Sequence, residues 1–137
     1  MKLINDGVLV CQPILLNPHE FHKIWAPDFM ESITFLKASK AHYQSCLHFF
    51  WQSIFHQREV TNLNQAQEIF SSTHLYKIDY TFATTLIKKH ANDWHQQHQQ
   101  LIPNAKWINQ IWNDDNDVLI IFEDDEYFYA WGWDCIL

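Results

Sequence analysis

The sequence predicts an α+β fold: a helical body of two long amphipathic helices plus short ones, packed on a small antiparallel sheet. That sheet is formed largely by a C-terminal β meander, which an N-terminal edge strand can join. Three observations predict it. Apolar residues recur at helical spacing through the middle of the chain. Short apolar and aromatic runs separated by acidic turns fill the C-terminal segment. Two glycines and four prolines are too few for an all-β fold of many tight turns. The 137 residues fit one globular domain, 1–137, because domains typically run about 100–200 residues. Seven tryptophans, ten phenylalanines and five tyrosines supply a core without staples.

The elements follow in order. Val8 to Cys11 and Ile14 to Leu16 read as a strand interrupted by Pro13, hence an edge strand or a bulge. Asn17-Pro18-His19-Glu20 has the cap, the first-turn proline and the capping-box acid of a helix start, and the short helix buries Phe21, Ile24 and Trp25. Ile33, Leu36, Tyr43, Leu47, Phe50 and Ile54 then recur three, four or seven apart, predicting a long amphipathic helix with a break near Ser39. Thr61 to Asn64 opens a short helix carrying Ala66, Ile69 and Phe70, while 75–78 fits helix or strand equally. Asp79 caps a second long helix through Ala83, Leu86, Ile87, His90, Trp94 and Leu101, which ends before Pro103. Strands are expected around Ile108 to Trp112, over 118–122 and over 127–133, with turns at 114–117 and 123–126.

Charge is distributed unevenly. Residues 1–106 hold eight acids and nine bases, whereas 107–137 hold eight acids and neither lysine nor arginine. The body is thus near neutral and one end carries a charge of −8, giving the chain its −7. Asp114, Asp115, Asp117, Glu123, Asp124, Asp125 and Glu126 lie in the two turns, and Asp134 lies beyond them. Such a potential repels phosphate backbones and attracts a basic protein. In the last strand Tyr127, Tyr129, Trp131 and Trp133 share one face, opposite Phe128, Ala130 and Gly132. Facing outward, the four rings and their acidic rim form an interface; facing inward, they are core.

The chemistry-bearing residue types form no reaction motif. His19-Glu20-Phe21-His22 is one residue short of the zincin spacing. His90, His95 and His98 cluster on a Gln-rich helix end that reads as solvated. Asp-Asp-Asn-Asp at 114–117 lacks the glycine and distal glutamate of a calcium loop. No metal, cofactor or catalytic residue is expected, and the protein reads as a non-enzyme. Cys11, Cys46 and Cys135 form no CxxC pair and read as reduced thiols. Asn5-Asp6-Gly7 interrupts any signal-peptide core and no apolar run is long enough to span a membrane. Cytoplasmic residence is therefore expected.

One arginine against eight lysines, with abundant Asn and Gln, points to an AT-rich bacterial or phage genome. The expected function is a small acidic inhibitor that binds a basic protein partner, foremost an immunity protein neutralising a toxin. It would bind through Asp114, Asp115, Asp117, Glu123, Asp124, Asp125, Glu126, Tyr127, Tyr129, Trp131 and Trp133. The alternatives are an anti-defence or nucleic-acid-mimic inhibitor, and a small-molecule-binding or catalytic domain with a Trp/His-lined pocket. Direct nucleic-acid binding and membrane association are not expected; the oligomeric state is left open.

Overall fold

Alternation of side chains across the C-terminal segment organises the molecule. The structure, a computed structural model, describes residues 20–27, 30–42, 49 and 63–135. Strands β1 (Glu20–Trp25) and β2 (Glu31–Ser39) form a hairpin, followed by a single 3-10 turn. Helix α1 (Leu63–Ser72), the two-residue strand β3 (Tyr76–Lys77) and helix α2 (Tyr80–Gln97) come next. The meander β4 (Trp107–Asp114), β5 (Asp117–Glu123) and β6 (Tyr127–Cys135) completes the order. All pairings are antiparallel in one six-stranded sheet, β1-β2-β6-β5-β4-β3.

The expected helical body is overturned. Strand outweighs helix among the described residues, and α2 is their one long helix. Residues 31–39, expected to open a long helix, are instead a central strand paired with β1 and, along its whole length, with β6. The helical spacing of Ile33 and Leu36 is a coincidence of a strand buried on both faces. Ile33 lies opposite Trp133 and Leu36 opposite Ala130, on different sides of the sheet. Such strands show a continuous apolar run instead of clean alternation. The short helix expected after Asn17 is also a strand here, since 20–25 pairs residue for residue with 32–37. Pairing with β2 overrides a good local cap signal. The expected strand at 8–16 and the helical run over 43–55, apart from Phe49, lie outside the described residues.

The remaining elements stand where the sequence puts them. Asp79 caps α2, its Oδ1 accepting from the Phe82 N–H at 2.8 Å. The helix stops at Gln97, short of the expected end at Leu101, and Ala91 interrupts it with non-helical φ −153° and ψ 59°. The 75–78 segment is extended and extends the sheet through Tyr76 opposite Gln110.

One face of the sheet carries Ile33, Phe35, Ile108, Val118, Ile120, Phe122, Tyr129, Trp131 and Trp133 against Ala83, Leu86, Ile87, Ala91 and Trp94 of α2. Trp131 is wholly buried at its centre. The other face is buried too, with Leu36, Ala38, Leu119, Ile121, Phe128 and Ala130. Phe49 stacks on Phe128 there at 5.4 Å. A sheet covered on both faces draws its cohesion mainly from apolar burial. No helix among the described residues is long and apolar enough to cross a membrane.

Candidate functional site

The meander that buries the rings also decides where the acids go. The aromatic column of β6 faces α2: Trp133 stacks on His90 at 3.9 Å, and Trp131 lies 6.1 Å from Trp94. Tyr129 packs between Phe122 at 4.8 Å and Phe35 at 6.1 Å. Tyr127 is half-buried beneath the Lys37 ammonium, 4.3 Å from its ring centroid. Of the two orientations open to the sequence, the column takes the inward one, so Tyr129, Trp131 and Trp133 are core, and of the three only Trp133 lines a cleft.

The two acidic turns sit at opposite ends of β5. Five strand residues, 118–122, lie between Asp117 and Glu123, and the two acids stand about 20 Å apart along the strand. They do not rim one surface.

At the β5–β6 end the carboxylates are largely spent on the fold. Glu123 accepts from the Trp107 indole N–H at 2.7 Å and pairs with the Lys40 ammonium. Asp124 accepts from the backbone N–H groups of Glu126 and Tyr127, each at 2.8 Å, and from the Tyr129 hydroxyl at 2.7 Å. Burial pushes the Asp124 carboxyl up, but those three hydrogen bonds, with Lys37 nearby, outweigh it and hold it below the usual range. Asp125 pairs with Lys106 at 3.0 Å, and Glu126 is exposed.

The β4–β5 end differs. Asp114 lies directly opposite Asp117, and Asp117 directly opposite Asp134, so three aspartates stand in register on three adjacent strands. Like charges directly across a ladder repel. Asp117 accepts from the Trp112 indole N–H at 2.9 Å and Asp134 from the Ser32 hydroxyl at 3.0 Å. Asp115 is exposed at the tip of the turn. One strand further along, Glu31 of β2 accepts from the Trp133 indole N–H at 3.0 Å. Its register partner is Cys135, one position beyond Asp134, so Glu31 shares the α2 face with Trp133 while Asp114, Asp117 and Asp134 share the opposite face.

Beside Glu31 opens a cleft of about 370 Å³ between the β1–β2 hairpin and α2. Trp25, Glu31, His90, Asp93, Trp94 and Trp133 line it, with Ala91 at the interruption of the helix. Burial, reinforced by the Lys89 ammonium, holds His90 below the ordinary histidine pKa although Glu31 pulls the other way. Burial and then Lys88 do the same to His95. His98 stacks on Trp94 at 4.2 Å and its Nδ1 lies 2.8 Å from the Trp94 carbonyl. His90 and His98 are packed against rings and His95 is buried, and no group of three metal-ligating side chains converges among the described residues.

Sequence reasoning missed Glu31 and Trp25 as site residues, because 20–36 read as helix. The available signal was the Ala26-Pro27-Asp28 turn between two short runs rich in β-formers.

No family model matches the chain, and no curated protein matches it. A crystal structure of citrus MAF1 is similar to 88% of this chain over 94% of its own length, at 8% identity and a TM-score of 0.44. A likeness that remote carries no functional argument.

Proposed function

We propose that the protein is a small binding protein that holds a basic partner protein on the β4–β5 end of its sheet. In this reading it is an inhibitor of the kind an immunity protein is toward its toxin. The observation that carries the reading is the register of Asp114, Asp117 and Asp134 on three neighbouring strands. A cross-strand run of like charges lowers stability, and a cationic partner offsets that repulsion on docking. The β5–β6 end supports no comparable role, because Lys37, Lys40 and Lys106 sit among its carboxylates. The test is charge reversal at each end in turn. Asp114→Lys with Asp115→Lys should abolish capture of the partner, whereas Asp125→Lys with Glu126→Lys should leave it nearly intact. Equal loss at both ends would sink the assignment.

A small-molecule-binding domain is the second reading, favoured by the size and aromatic lining of the cleft. Saturable binding of a metabolite that is indifferent to Asp114→Lys would favour it over the first.

A further inference from the structure

The cleft lies at the same end of the sheet as the row of aspartates, on the opposite face, which α2 covers. We infer that it receives an arginine side chain of the basic partner, with the guanidinium between the carboxylates of Glu31 and Asp93 and the stem against Trp25 and Trp133. This rests on the partner-binding reading and names what that end of the sheet grips.

Four observations carry it. First, the cleft, about 370 Å³, is rimmed by exposed apolar surface, with Ile24 49% and Trp25 40% exposed. Second, its carboxylates are oriented but not neutralised. The Trp133 indole N–H fixes one oxygen of Glu31, and among the described residues neither Glu31 nor Asp93 forms an ion pair. Third, the Trp25 ring already accepts a cation, since the Lys23 ammonium lies 4.9 Å from its centroid. Fourth, His90 forms the wall as an imidazole stacked on Trp133, and its depressed pKa keeps it neutral at pH 7. Rings and carboxylates around one space select an organic cation, because an anion or an apolar group would leave Glu31 uncompensated. Arginine suits it better than lysine: the guanidinium is planar, stacks on indole and meets a carboxylate with two parallel hydrogen bonds.

The experiment titrates the full chain with N-acetyl-arginine amide, N-acetyl-lysine amide and N-acetyl-norleucine amide, following the indole N–H signals of Trp25 and Trp133 by NMR. The arginine amide should shift both signals saturably, the lysine amide more weakly and the norleucine amide scarcely at all. Glu31→Gln, which keeps an acceptor for Trp133, should weaken the arginine amide roughly fivefold or more. Equal shifts with norleucine amide, or none with any probe, would overturn the inference. So would unchanged affinity in Glu31→Gln. The two proposals fail separately: a partner lost by Asp114→Lys yet bound normally by Glu31→Gln would remove the cleft from the interface and leave the interface itself standing.

Discussion

Single carboxylates in this protein do two opposite jobs, and burial with hydrogen bonding tells them apart. Asp124 is structural: three donors converge on it, so Asp124→Ala should lower the unfolding free energy by roughly 1–3 kcal/mol, read from urea denaturation. Asp114 is the reverse. It is exposed and stands opposite Asp117, so Asp114→Asn should leave the fold intact and raise its stability by less than about 1 kcal/mol. That gain should shrink as salt rises, and an unchanged or lower stability at low salt would contradict the repulsive register. The histidines set a pH signature. His90 and His95 are held below the ordinary value of about 6.5, so the unfolded chain binds more protons as the medium acidifies. The stability they contribute is present above that value and is lost as pH falls through the folded values. Asp124 adds a second loss at lower pH, below the ordinary carboxylate value, because its folded pKa is depressed. Thermal melts from pH 8 down to 3 should fall in those two steps, and the lower one should vanish in Asp124→Ala.

The elements show where pattern reasoning works and where it fails. The meander was legible because its strands are bounded by acidic turns, and α2 because Asp79 caps a run with a clear apolar stripe. The column of Tyr129, Trp131 and Trp133 was legible as one face of a strand, but alternation is blind to which side the helix covers. Burial on both faces hid β2: Ser32, Thr34, Leu36 and Ala38 are as enclosed as Phe35, so the period-two signal disappears and chance spacings mimic a helix. The acidic site was half legible. Its residues stood out by charge and a strand was expected between the two turns, yet the sequence could not say that lysines from 37, 40 and 106 gather at only one of them. Two substitutions test the packing at this scale. Trp131→Ala, at the centre of the α2 face, should cost about 3–5 kcal/mol. Ala130→Leu, on the face where Leu36 and Ile121 flank position 130, should cost about 1–3 kcal/mol through overpacking. A neutral result in either, by chemical denaturation, would argue against a sheet closed on both faces.

For the molecule as a whole, the account reduces to a polarity. One sheet carries lysines among its acids at one end and, at the other, three aspartates in register on one face and an aromatic cleft on the opposite face. Long-range attraction of that kind speeds encounter with a basic protein and weakens with ionic strength. The most direct measurement is capture of a partner from native lysate, at low and at high salt, by the tagged wild-type chain and by the two charge-reversed chains. The account predicts a basic protein held at low salt and released at high salt. It should be lost with Asp114→Lys and Asp115→Lys, and retained with Asp125→Lys and Glu126→Lys. A partner that is indifferent to salt and to the Asp114 and Asp115 reversals would contradict it.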